Sequence, residues 1–254
     1  MARVVRTFVL NRVDPPRAVL RLLILPHAGA GGSSGLLFGN HAPDDWLIAT
    51  ARLPGRESRV GEPIGGMPGL VADATGTIRG LPGTAPLLVL GVCSGGVIAF
   101  EAVRELQRAG SDVVSGVVVA AQGVPDKAFR PPVRPPTEPG AEADVLGFLR
   151  RNSGLPSTVA DNESLLAALL PGIAADFQAV AHHHPAPAPP LRCPLLTVAG
   201  NQDGLCPESR MAGWSAYAPR SRHVRISGGH MLLTEHPKKL AGAVEANLDL
   251  FGLR

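Results

Sequence analysis

Residues 87–96 read Leu-Leu-Val-Leu-Gly-Val-Cys-Ser-Gly-Gly. The apolar run 87–90 enters this stretch and ends at glycine. The segment that leaves it, Val97–Gly110 (VIAFEAVRELQRAG), repeats apolar residues at helical spacing and stops at a glycine. The stretch is therefore a buried strand, a sharp turn and the start of a helix. Gly91 and Gly95 bracket Cys93 symmetrically, in the pattern Gly-x-Nu-x-Gly that lets a strand turn abruptly into a helix. Putting Ser94 at the apex would require glycine at position 92, which is Val92. Cys93 is the predicted apex, thrust out at a helix N-terminus where backbone N–H groups and the helix dipole favour negative charge. A thiol, of ordinary pKa near ~8.5, becomes a nucleophile there with help from a histidine. The competing reading is an inert buried cysteine.

Outward from this turn, apolar strands alternate with helical patterns. Strands are predicted at 20–25 (LRLLIL), 46–51 (WLIATA), 113–120 (VVSGVVVA), 195–199 (LLTVA) and 222–226 (RHVRI), with a closing helix over 236–251. This rhythm predicts an α/β protein with a mostly parallel central sheet flanked by helices. From about 125 to 190 the rhythm breaks. PPVRPPTEP gives way to ADVLGFLRRN and ESLLAALLPGIAADFQAV, then to HHHPAPAPPL. This is read as a helical lid inserted within a single domain spanning 1–254, covering the sheet's carboxyl edge.

The remaining catalytic groups are sought after the late strands, in the order nucleophile, acid, base. Asp203 lies in Gly200-Asn201-Gln202-Asp203-Gly204, directly after the 195–199 strand, and would hold an imidazole in the right tautomer. An Asx-type turn residue is the alternative for it. His230 follows Ser227-Gly228-Gly229 on a glycine-rich loop and is the predicted base. His223 falls inside a strand and His236 at a helix start. The run His182-His183-His184 suggests a metal, but adjacent side chains diverge and no partner cluster is visible, so no metal site is expected. Backbone N–H groups of Ala28 and Ser94 are the expected oxyanion donors, one from the loop after an early strand and one after the nucleophile. The 27–35 segment HAGAGGSSG lacks the Gly-x-x-x-x-Gly-Lys pattern of a phosphate loop. Phe38, Phe148, Leu165, Leu169 and Phe177 are the apolar candidates for the acyl pocket and lid.

With these residues assigned, the sequence resembles the type II thioesterases of nonribosomal peptide and polyketide pathways. Pro26-His27-Ala28-Gly29, Leu53-Pro54-Gly55-Arg56-Glu57, the turn at 91–95, Leu170-Pro171-Gly172-Ile173-Ala174-Ala175-Asp176-Phe177 and Gly228-Gly229-His230 occur in the family's order. The resemblance implies a lidded α/β-hydrolase acting on acyl groups carried by an acyl or peptidyl carrier protein, with Asp203 and His230 completing a triad. It implies no resident cofactor, because the phosphopantetheine arm belongs to the carrier. The family usually carries Gly-His-Ser-Met-Gly at the turn, where this chain has Gly91-Val92-Cys93-Ser94-Gly95. An acyl-Cys93 intermediate would itself be a thioester, suited to release by water or to transfer to an amine or thiol. Three further readings stand beside it: an acyl or aminoacyl shuttle between carriers, an esterase acting on free small molecules, and a degenerate hydrolase that only binds an acyl chain or a partner.

Composition bounds these readings. The 254 residues are 45% apolar and 18% charged, enough for a large core, and only 4% aromatic, so the core is aliphatic. A net charge of +3 on scattered basic residues gives nucleic-acid binding no support. No apolar run approaches the roughly 18–20 residues of a membrane span, and MARVVRTFVLNRVDPPR does not read as a signal peptide. Three cysteines (Cys93, Cys193, Cys206) without metal spacing suit a reduced, cytoplasmic protein, expected to be a monomer.

Overall fold

The structure, a computed structural model, describes residues 4–5, 7–11, 18–125, 133–135, 137–151, 155 and 157–253. The readings made on parts of the N-terminal segment, on Pro131, Pro132 and Pro136 of the Pro-rich stretch, and on Asn152 lie outside the described residues. The strands are β1 (Val4–Val5), β2 (Phe8–Leu10), β3 (Leu20–Leu25), β4 (Trp46–Ala51), β5 (Leu87–Val92), β6 (Gly116–Ala120), β7 (Leu195–Gly200) and β8 (Ser221–Ile226). The α-helices are α1 (Leu36–Gly39), α2 (Gly66–Gly80), α3 (Ser94–Arg108), α4 (Ala141–Arg151), α5 (Ser157–Ala160), α6 (Glu163–Ala181), α7 (Glu208–Met211), α8 (Leu232–Glu235) and α9 (Pro237–Glu245).

The strands form one eight-stranded sheet in the order β1-β2-β4-β3-β5-β6-β7-β8. From β4 to β8 every pairing is parallel, whereas β1 and β2 add an antiparallel edge. The predicted sheet is correct, and the antiparallel edge is an addition to it.

Side chains alternate across the sheet and build two cores. On one face Leu23, Leu25, Val89 and Val119 pack with Leu70 and Ala74 of α2 and Ile98 and Phe100 of α3. On the other Leu22, Ile24, Leu90 and Val118 pack with Leu240 and Val244 of α9. Strands buried on both faces read as continuous apolar runs, which is why β3, β5 and β7 are legible. The expected 236–251 helix divides into α9 and a 3-10 turn at Leu248–Phe251. Asn247 Nδ2 donates to Ala243 O at 2.8 Å, a side-chain bond that competes with the helical ladder at the break.

Between β6 and β7 lie α4, α5 and α6, whose apolar residues form a third cluster around Val145, Phe148, Leu149 and Ile173. By length and composition α6 is apolar enough to cross a bilayer, contrary to the expectation that no segment is. Pro171 and Asp176 break its apolar run, so the length of the helix does not stand out in the sequence. Its Ile173, Ala174, Asp176 and Gln178 are buried against the rest of the protein.

Candidate active site

Cys93 is the single residue between β5 and α3. Its φ of +52° and ψ of −126° lie outside the usual regions for a residue with a side chain. The turn is held there by Cys93 N–H donating to Ala120 O at 2.9 Å and by Cys93 O accepting from Gly96 N–H at 2.8 Å. A Cβ on Gly91 would lie 2.3 Å from Gly95 O, and one on Gly95 would lie 2.1 Å from Leu25 O. Both flanking glycines are thus sterically required by backbone. The second contact also shows that the first turn of α3 abuts the end of β3, where the Pro26–Ala30 loop begins. Ser94 and Ala28 therefore sit on facing backbone segments, with Ser94 at the first position of α3, where amide N–H groups have no partner within the helix.

Asp203 and His230 arrive on the loops after β7 and β8. The two loops are laced together: Gln202 N–H donates to Gly228 O at 2.9 Å, and Gly228 N–H to Asn201 Oδ1 at 3.2 Å. His230 Nδ1 donates to Asp203 Oδ2 at 2.8 Å, with both side chains buried. Asp203 Oδ1 accepts from the N–H groups of Leu205 and Cys206 at 2.9 and 2.7 Å. The Asx turn and the imidazole contact therefore coexist, one on each carboxylate oxygen. His230 Nε2 is buried without a hydrogen-bond partner and its residue shares a cavity wall with Cys93. Burial acts to lower the His230 pKa, yet negative charge on Cys93 and the hydrogen bond to Asp203 outweigh it and raise it to about 10. His27 shows burial unopposed. Desolvation, then the charges of His230 and Arg56, push it down to about 4.

Cys93 and His230 open onto a cavity of about 560 Å³. Its apolar wall includes Val124, Leu205 and, from the helical insertion, Phe148, Phe177, Val180 and Ala181. Phe148 and Phe177 pack ring to ring at 5.4 Å.

Of the five candidates for the pocket and lid, Phe148 and Phe177 line this cavity, and Phe38, Leu165 and Leu169 do not, although the two leucines lie on the insertion's α6. Phe38 is fully buried in the core with Leu20, Leu22 and Trp46, while its α1 neighbours Leu36 and Leu37 face solvent. Leu165 is 39% exposed in the first turn of α6. Leu169 packs within the insertion's own cluster, because only the C-terminal half of α6 reaches the cavity. The sequence reading missed Gln122 and Val124 from the segment after β6, and Cys206 and, on α7, Arg210 from the segment after β7, all of which line the cavity. Position after a sheet strand is the signal that could have found them.

Among the described residues no group of three or more His, Cys, Asp or Glu could hold a metal. Within the histidine run, His183 Nε2 meets Glu101 Oε1 at 3.1 Å, tying the end of α6 to α3.

A parallel sheet with a strained strand-to-helix turn, a buried histidine–aspartate pair beside it and a helical insertion over both defines an α/β-hydrolase. Within that class, a match to the thioesterase domain family runs from residue 20 to 248, and the chain belongs to this family. It is 25% identical over 245 residues to the thioesterase PikA5 of Streptomyces venezuelae, covering 94% of this chain and 85% of that protein. It is 26% identical over 237 residues to the phenyloxazoline synthase MbtB of Mycobacterium tuberculosis, of which it spans only 16%. Among solved structures, the type II thioesterase BorB from the borrelidin biosynthetic cluster superposes with a TM-score of 0.79 at 24% identity, covering 95% of this chain and 97% of that one.

Proposed function

We propose that this protein is a thioesterase that works on acyl groups carried as phosphopantetheine thioesters on an acyl or peptidyl carrier protein, through an acyl-Cys93 intermediate. The observation that carries this reading is the placement of Cys93. It occupies a strained turn at a helix N-terminus, on the wall of an apolar cavity it shares with His230.

The steps balance without a cofactor. The Cys93 thiolate attacks the acyl carbonyl of the carrier thioester, and the developing oxyanion is met by the backbone N–H groups of Ala28 and Ser94. The carbon–sulfur bond to phosphopantetheine breaks, and His230 gives its proton to the departing thiolate. Asp203 holds the ring and stabilises its charge. In the second half His230 takes a proton from the acceptor as it attacks the acyl carbon, the bond from that carbon to Cys93 Sγ breaks, and the Cys93 thiolate is restored beside a protonated His230. The relatives PikA5, a thioesterase, and MbtB, a phenyloxazoline synthase, support a biosynthetic setting of this kind.

A second reading is favoured by the sulfur itself. Exchange of one thioester for another is nearly balanced in energy, so acyl-Cys93 can pass its cargo to an amine or to another carrier as well as to water.

The test loads the protein from a panel of carrier-bound acyl groups and follows intact mass, with peptide mapping of position 93 and identification of the released product. An adduct on Cys93 that disappears with product formation is expected. Unchanged mass throughout, or full activity in Cys93→Ala, would overturn the proposal. Iodoacetamide modification no faster than that of a model thiol would favour an acyl-binding protein without turnover.

A further inference from the structure

The two backbone segments that face each other at the turn are held differently. Ser94 belongs to α3 and is fixed by the helix. The 27–30 loop has a local tie, Ala30 N–H to His27 O at 3.1 Å, and otherwise leans on groups far away in sequence. Gly29 N–H donates to Asp176 Oδ2 at 2.9 Å, and Ala30 O accepts from Arg56 Nη1 at 3.2 Å. Asp176 and Arg56 grip each other at two points, Nη1 to Oδ2 and Nη2 to Oδ1, both at 2.7 Å, and their side chains are 1% and 4% exposed. Arg56 Nε and Nη2 also donate to Pro54 O at 3.2 and 3.1 Å, so the guanidinium fork is fully engaged. Gly29 has φ +74°, and a Cβ there would lie 2.2 Å from Ile173 Cγ1, so the loop lies flush against α6. Ile173 and Asp176 belong to the same helix as Phe177, which walls the cavity.

We propose that Asp176 and Arg56 are positioning residues that make the seated α6 helix part of the scaffold of the oxyanion site. Consecutive amides of a turn face different ways. Fixing Gly29 N–H on the Asp176 carboxylate therefore fixes the direction of the Ala28 N–H beside it. If α6 lifts, the carboxylate leaves with it, and the donor is no longer aimed. Acyl transfer is thereby coupled to the insertion being closed over its cargo, while the Cys93–His230–Asp203 set, built on β5, β7 and β8, stays intact. This inference rests on the proposed acyl-Cys93 chemistry and on Ala28 as oxyanion donor.

The experiment compares two reactions of Cys93 in the full chain: alkylation by iodoacetamide, which develops no oxyanion, and acylation by hexanoyl-N-acetylcysteamine, which does. In Asp176→Asn and in Arg56→Lys, acylation is expected to slow about 10- to 100-fold with alkylation nearly unchanged, and the loss to appear in kcat rather than KM. Equal losses in both reactions, or no loss in acylation, would overturn the proposal. Amide hydrogen exchange provides an arm that needs no acyl chemistry and no variant. Gly29 should exchange in wild type at the slow rate of the 173–177 amides. In Asp176→Asn, if it folds, Gly29 should speed up while 91–96 does not change. Fast exchange of Gly29 in wild type would sink the clamp. Wild type that forms no acyl-Cys93 would sink the nucleophile reading, and the exchange arm would still judge the clamp.

Discussion

Two buried histidines close to one another carry opposite protonation tendencies, and the difference lies in which charges each one sees. His27 faces Arg56 and His230 and is driven toward its neutral form, whereas His230 sees Cys93 and Asp203 and is driven toward imidazolium. Cys93 is the foremost influence raising the His230 pKa. Cys93→Ala should therefore lower the pKa of His230, read from its ring proton shifts by NMR. The consequence for stability has a definite sign. A proton held more tightly in the folded state stabilises it fully below the unfolded value of 6.5, and that stability is lost as pH rises toward about 10. Urea unfolding of wild type should thus lose stability across this window more steeply than Cys93→Ala, and equal slopes would mean that His230 feels no charge at position 93. Cys93→Ser belongs to the same scale. It should fold normally and shift products toward free acid, because its intermediate is an oxygen ester that does not exchange with thioesters at equal energy. The ratio of free acid to amine or thiol product measures this, and an unchanged ratio would show the sulfur to be incidental.

The elements that carry these residues are legible to different degrees, and packing explains why. The β5–turn–α3 unit is read directly from sequence because its glycines are demanded by backbone within the unit and by the adjoining β3. Gly95→Ala should cost at least about 2 kcal/mol in urea unfolding, since its Cβ meets the Leu25 carbonyl, which cannot swing aside. Gly76→Ala on the exposed face of α2, where a Cβ meets nothing within 4 Å, should instead gain roughly 0.5–1 kcal/mol. If both changes were neutral, the tight contact at the turn would not be the reason for its glycine. The β1–β2 edge escapes a sequence reading because two and three residues are too short to show alternation. Phe38 lies away from the cavity, and Leu165 lies on the insertion without lining it, because hydrophobicity marks a residue as apolar without saying which way it points. The Arg56–Asp176 pair is invisible for another reason: its members are 120 residues apart, and each lies in a segment of ordinary polarity.

At the scale of the whole molecule, buried ion pairs tie the insertion to the hydrolase body at separated places, besides the exposed bond from Ser157 N–H to Glu235 Oε1 at 3.3 Å. One is the Arg56–Asp176 pair on the buried side of α6. Another is at its end, where Glu101 of α3 pairs with Arg104 and meets His183, and Arg104 Nη2 donates to Ala186 O at 2.7 Å. An acyl group reaching Cys93 must lie along a wall to which the insertion contributes Phe148 and Phe177. A small free thioester offers contact only within this cavity. A carrier-bound one adds the phosphopantetheine arm and a protein surface, and binding energy from these remote parts can be used to seat the acyl carbonyl at the turn. The same acyl group should therefore react with a kcat/KM at least about 100-fold higher on a carrier than on N-acetylcysteamine, with part of the gain in kcat. The net charge of +3 adds a second expectation: with an acidic carrier the advantage should shrink as salt is raised, while the small substrate is indifferent. Steady-state rates on both substrates at low and high ionic strength decide it. A clear preference for the small thioester, or for free oxygen esters, would mean that the surface around the cavity has no carrier to receive and that the protein acts on free molecules.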